Sequence, residues 1–166
     1  MPKQPDAARS AVLAVVARYL HVREQPKGSN RGPEIDRWLH AVSSPLGSPW
    51  CAAFLHGSGV EALGPEDWPF KRSGRVQDVV DACRAAHRTR PIREAVPGDL
   101  VAFYFQKLNR YAHIAILRDK SGKYVWTTDG NSIADGATGD QREGWGVFEK
   151  KRLLSDRMLA LTWPEG

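Results

Sequence analysis

Residues 97–105 (PGDLVAFYF), 112–119 (AHIAILRD) and 123–130 (KYVWTTDG) decide the fold. Each run is short and rich in β-branched and aromatic residues, and turn material such as Lys120–Ser121–Gly122 separates them, so they read as strands. Residues 144–149 and 158–163 supply two further strand candidates. Upstream the texture changes. Residues 7–22 (AARSAVLAVVARYLHV) place apolar side chains at helical spacing, and Gln25–Gly32 is a loop of Gly, Pro, Ser and Asn. Pro33 suits a first helical turn, with Ile35, Trp38, Leu39 and Val42 on one stripe. Residues 49–63 (PWCAAFLHGSGVEAL) form a largely apolar helix whose second half Gly57 and Gly59 weaken. After an irregular stretch around Trp68 and Pro69, Val76, Val79, Val80, Cys83 and Ala86 predict a helix over 75–88. Helices first and strands after them predict an α+β domain, N-terminal helices on a C-terminal antiparallel β-sheet, rather than alternating βαβ units.

A chain of 166 residues suits a single domain, expected over 1–166 with a core from 10 to 163, with no linker, internal repeat or low-complexity tract. The formal charge of +5 favours anionic partners, although solubility alone accounts for it equally well. The basic residues are spread along the chain without interleaved aromatics, so no nucleic-acid partner is expected. Arg18 interrupts the apolar run that begins at Ala11, and no segment approaches the ~20 apolar residues of a membrane span. The expectation is synthesis in the cytoplasm without a signal peptide, and no stable membrane insertion.

The sharpest local feature is Gly47–Ser48–Pro49–Trp50–Cys51–Ala52–Ala53–Phe54. Ser48 is a good N-cap and Pro49 fits the first helical position, which puts Cys51 in the first turn. Free amides and the positive end of the helix dipole stabilise a thiolate there, and the same amides can donate to an oxyanion. A buried structural cysteine is the competing reading. Cys83 falls mid-helix on the apolar stripe and reads as inert core.

A cysteine nucleophile needs a base. His56 lies five residues beyond Cys51 on the same helix, about 140° around its axis, and so cannot face the thiol. His21, His40 and His87 lie among charged neighbours at predicted surfaces. His113 stands in a strand, sharing a face with Leu117 and with Ala115, whose small side chain leaves room for a helix end. An imidazole base in turn needs an acceptor to hold its tautomer. Asp129 and Asn131 lie two apart on the next strand, so either can face His113; a plain Asp-Gly-Asn turn is the alternative.

The order Cys51, His113, Asp129, Asn131, with PWCAAF opening a helix, PGDLVAF opening a strand and AHIAIL carrying the histidine, resembles the CHAP family. These are cysteine, histidine-dependent amidohydrolases/peptidases of the papain-like superfamily. Gly28–Ser29–Asn30–Arg31–Gly32–Pro33–Glu34–Ile35 is similar to the segment that leads such domains toward their cysteine, so the resemblance covers nearly the whole chain. It implies a papain-like fold and cleavage of an amide bond in peptidoglycan, as an amidase or endopeptidase, through a thioester. Peptidoglycan is thus the expected substrate partner, and the chain is expected to be a monomer without a cofactor. Aspartate stands at 129 where the family commonly has glutamate, which leaves open whether Asp129 or Asn131 orients the ring. Residues 28–50 hold only Glu34 and Asp36 as acids, too few for the calcium loop of some relatives, so no metal is expected.

Substrate contact is expected from Trp50 and Trp126, with Trp38 and Trp68 as further candidates, since tryptophan lines clefts as readily as it fills cores. Two rivals differ in chemistry. Cys83 and His87, four apart on one helix face, fit part of a zinc site, though neither a full ligand set nor an HExxH motif is present. The other is a catalytically silent module that binds wall fragments. In biological setting the reading leans to a phage endolysin released through a holin, against an interbacterial toxin with an immunity protein or a bacterial autolysin.

Overall fold

The computed structural model describes residues 6–133 and 144–165; residues 134–143 of the expected core lie outside them. Helix α1 spans Ala7–Arg18 and starts at Asp6, whose carboxylate accepts from the Arg9 amide at 2.9 Å. It stops four residues short of the expected Val22, where the chain leaves the helix to pair with residues 145–147. Arg23 bridges to Gly146, and the Glu24 amide donates to the Trp145 carbonyl at 2.7 Å. Helix α2 is Pro33–Ala41, burying Ile35, Trp38 and Leu39.

Helix α3 runs Cys51–Leu63 without a break, and both α1 and α2 pack on it. The two glycines expected to weaken it are the seats of tryptophan rings. A Cβ at Gly57 would lie 2.3 Å from the Trp38 ring, and one at Gly59 2.1 Å from the Trp68 ring. Each glycine costs about 1 kcal/mol of helix propensity, which burial of an indole outweighs.

Helix α4 is Val76–Ala85, ending before the expected residue 88. His87 adopts φ 56°, and the His87 and Arg88 amides donate to the Arg84 and Cys83 carbonyls. This is a Schellman cap with histidine in the left-handed position that glycine usually takes.

The strands are β1 (Thr89–Pro91), β2 (Leu100–Phe105), β3 (Arg110–Ser121), β4 (Tyr124–Ser132), β5 (Gly146–Leu153) and β6 (Met158–Leu161). They form one antiparallel sheet in the order β1-β6-β2-β3-β4-β5. The expected strand at 144–149 begins at Gly146 and continues to Leu153, and that at 158–163 stops at Leu161. Gly122, at φ 56°, and Lys123 make the two-residue turn between β3 and β4, where Ser121 pairs with Tyr124. Alternation sorts the strand residues into two cores. Leu100, Ala102, Ile114, Ile116 and Leu161 join the helices, whereas Val101, Leu117, Val125, Met158 and Ala160 form a second cluster. Helices α3 and α4 pack on β3, and α3 also on β4. The domain is α+β, with four helices and a six-stranded antiparallel sheet among the described residues.

Candidate active site

Cys51 is the first residue of α3, with Trp50 as N-cap. The start lies two residues later than the sequence suggests, and Ser48 is not the cap: its hydroxyl donates to the Pro45 carbonyl at 2.5 Å. The first intrahelical bond runs from the Phe54 amide to the Trp50 carbonyl at 2.9 Å. The amides of Cys51, Ala52 and Ala53 therefore have no acceptor within the helix and point out of its positive end. The loops before α3 are pinned from two sides. Trp50 Nε1 donates to buried Glu24 at 3.0 Å, and the Asn30 side-chain amide donates to the Gly47 carbonyl at 3.0 Å. Cys51 itself is 4% exposed and lines a cleft of about 580 Å³.

His113 sits on β3 at an irregularity. It pairs with Phe103 while Tyr111 pairs with Tyr104, so Ala112 is an extra residue on this strand. Such bulges bend a strand and re-aim its side chains. Ala112 lines the same cleft as Cys51. The His113 ring is fully buried, and its Nε2 lies 2.6 Å from Asp129 Oδ2. Asp129, on β4, is equally buried, and its carboxylate accepts from four donor atoms among the described residues. Thr127 Oγ1 donates to Oδ1 at 2.6 Å, and Arg152, from β5, reaches Oδ1 at 3.2 Å and Oδ2 at 2.7 Å. Arg152 also donates to the Thr127 hydroxyl at 2.5 Å and lies over the Phe103 ring, whose other neighbour is His113.

This arrangement fixes the imidazole tautomer. An ionised carboxylate can only accept, so the His113 nitrogen facing it carries hydrogen, and Nδ1 is the nitrogen left for chemistry. Nδ1 has no partner of regular hydrogen-bond geometry. The nearby group that acts on the ring from outside the Asp129 network is Cys51. A thiol and imidazole close enough to interact, yet not in regular geometry, are typical of a catalytic pair before substrate tightens it.

The electrostatics follow from burial and from these contacts. Burial alone pushes His113 toward its neutral form, but the hydrogen bond the ring donates to Asp129, its interaction with the Cys51 side chain, and the charges of both outweigh it and raise the ring to about 9. Burial likewise pushes Asp129 upward, but the Arg152 charge and the His113 contact hold it well below the ordinary carboxylate range. Cys83 provides the contrast, since burial raises its thiol.

Of the two candidates for orienting the ring, Asp129 is the one bonded to it. Asn131 is fully buried but does not continue the alternation from Asp129. Asp129 pairs with Phe148 and Ser132 with Gly146, so β4 carries one residue more than β5 here, and Asn131 takes φ 52°. The expectation that Trp50 contacts substrate is corrected. Its indole is fully buried, stacked on Trp38 at 6.0 Å, and serves to hold the start of α3. Trp38 and Trp68 are core as well. Trp126 is half-buried, near Tyr124 and Lys151.

The zinc alternative loses its geometry, because His87 lies past the end of α4 as a cap while Cys83 faces the core. Arg152, Thr127, Phe103 and Glu24 are site residues that the sequence reading missed. Arg152 lies in a run of three basic residues on an edge-bound segment, where a solvated charge is the default reading. No helix among the described residues is long and apolar enough to cross a membrane. No family model matches the chain, and no curated protein or solved structure matches it either.

Proposed function

We propose that this chain is a cysteine-dependent hydrolase of amide bonds in peptidoglycan, with a papain-like fold of the CHAP type. One observation carries the reading: a buried imidazole fixed by Asp129 at Nε2, with a cysteine at a helix N-terminus as the neighbour acting on it from outside that network. In the proposed cycle Cys51 gives its proton to His113, and the thiolate attacks the scissile carbonyl carbon. The first-turn amides of α3 hold the resulting oxyanion. As the tetrahedral intermediate collapses, the C–N bond breaks, His113 protonates the departing amine, and a thioester remains on Cys51. Water, losing a proton to His113, then releases the carboxylic acid and restores the thiol. Asp129 keeps the ring oriented and stabilises its charged form, while Arg152 keeps Asp129 ionised.

The peptidoglycan substrate rests on the sequence resemblance, and the thiol chemistry on the geometry. The lysin setting is part of the proposal: a holin gene beside this one would support it, whereas an immunity gene there would point to a toxin. The direct test is digestion of purified sacculi with mass spectrometry of the products. The wild-type chain is expected to release new amine ends, and Cys51→Ala, folded by circular dichroism, to release none. Release at the wild-type rate by that variant ends the proposal; sacculus binding without release by either chain points to a silent binding module.

A further inference from the structure

The cleft beside Cys51 has a chemical character that the catalytic cycle does not use. Its walls are the loop from Val42 to Pro49, the entry to α4 from Ser73 to Val76, and the start of β3 at Arg110 and Ala112. The polar lining is Ser43, Ser44, Ser48, Ser73, Arg75 and Arg110, with no carboxylate in the wall among the described residues. Arg75 is exposed and offset by Asp78 at 2.8 Å. Arg110 is half-buried and has no acidic partner among the described residues. Ser48 and Ser73 spend their hydroxyls on Pro45 and Asp78. Ser43 and Ser44 make no side-chain hydrogen bond among the described residues, so their hydroxyls remain available to a ligand. The wall is drawn tight at one point, where a Cβ on Gly74 would lie 2.0 Å from Ser44 Oγ.

A guanidinium with no acidic partner among the described residues, lining an open cleft next to hydroxyl donors, is a receptor for a planar anion. We propose that this cleft is a subsite for a carboxylate of the substrate, adjacent to the bond that Cys51 attacks. Arg110 is its principal ligand, Arg75 adds charge at the mouth, and Ser43 and Ser44 donate to the remaining lone pairs. The inference deepens the peptidoglycan reading and rests on it for the identity of the substrate: the enzyme selects stem peptides that keep a free carboxylate beside the scissile amide over those in which it is amidated.

The subsite is testable without any hydrolysis. Alkylation of Cys51 by iodoacetate and by neutral iodoacetamide, followed by peptide mass mapping, compares an anion with a near-isostere at the same sulfur. Arg110→Gln is expected to slow the iodoacetate reaction about three- to tenfold more than the iodoacetamide reaction, the loss of one partly exposed charge-assisted contact. Arg75→Gln, at an exposed position, is expected to shift the ratio the same way by less. Glutarate should protect the wild-type thiol and glutaramide should not. An unchanged reagent ratio in Arg110→Gln, or a Cys51 that neither reagent reaches, overturns the subsite. A parallel digestion separates the two claims, using sacculi whose carboxylates have been amidated with carbodiimide and ammonia. Amidation should raise KM for the wild type and leave Arg110→Gln nearly indifferent. If neither sacculus is cut while the Arg110-dependent reagent preference persists, the peptidoglycan reading fails and the anion subsite stands. If sacculi are cut with no such preference, the subsite fails alone.

Discussion

The two cysteines of this chain are both buried and both helical, yet they occupy opposite chemical worlds. Cys51 is 4% exposed at the first position of α3, and Cys83 is fully buried near the last turn of α4. One lies at the positive end of a helix, lines a cleft and interacts with an imidazole. The other lies among the carbonyls at the negative end, inside the apolar core, and burial raises its thiol. The lesson is that burial does not mark a cysteine as inert. Its place along the helix and its neighbours do.

The sharpest way to break this comparison is to exchange the losses. Cys51→Ala should lower amine release from sacculi by at least about 10³-fold, because the nucleophile is gone. Cys83→Ala should leave that rate near wild type and instead cost about 1–2 kcal/mol of stability, as one small apolar group leaves a packed core. Kinetics and thermal melts of both variants decide it. A catalytic loss in Cys83→Ala with intact folding would show that the wrong thiol has been assigned.

A smaller effect tests the neighbours rather than the sulfur. Asp129→Asn should reduce turnover by about 10²- to 10⁴-fold, since an amide can present the wrong partner to Nε2 and cannot stabilise the imidazolium. The same variant should change how stability depends on pH. His113 is raised from 6.5 to about 9, so the folded state binds its proton more tightly than the unfolded one. That stabilisation is complete below the unfolded value near 6.5 and is lost as pH climbs through about 9. Asp129 has the opposite sign: its stabilisation is present above the ordinary value of 3.8 and is lost as pH falls further. Wild-type melting temperature should therefore drop between pH 6.5 and 9 by more than that of Asp129→Asn. Parallel curves over that window would mean that Asp129 does not hold the His113 proton.

The class of fold was legible because its signals are local and periodic. The four helices and the strands from Leu100 to Ser132 follow from apolar spacing and turn residues. The failures lie where tertiary contacts overrule local rules. Helix α3 keeps Gly57 and Gly59 because tryptophan rings fill their places, and α1 stops early to let Arg23 meet β5 and Glu24 meet Trp145. Ser48 looked like a cap because composition cannot say that its hydroxyl turns back to Pro45. In the site, Cys51, His113 and Asp129 were readable as residue types suited to one chemistry in a compatible order. The choice of Asp129 over Asn131 was not readable, because it depends on a bulge between β4 and β5 that breaks the two-residue period. Arg152 was invisible for a similar reason. Only pairing with Val125 brings it beside Thr127 and Asp129.

The room that lets the cysteine helix lie against the sheet was sought at Ala115, but a close approach of α3 to the strands is made at Gly130. A Cβ there would lie 2.8 Å from the Phe54 Cβ, three residues along the helix from Cys51. Because the obstacle is a Cβ rather than a flexible side-chain end, rotamer changes at Phe54 cannot relieve it, and the helix or strand must move. Gly130→Ala should therefore cost about 1–3 kcal/mol, the usual penalty of overpacking. In a chain of this size that is roughly 2–4 °C of melting temperature per kcal/mol. Any shift of α3 also carries Cys51 relative to a His113 ring that Asp129 and Phe103 hold in place. The variant should accordingly lose turnover at temperatures where it remains fully folded, with little change in KM. A melt and a rate both equal to wild type would mean that α3 does not press on β4 at this point.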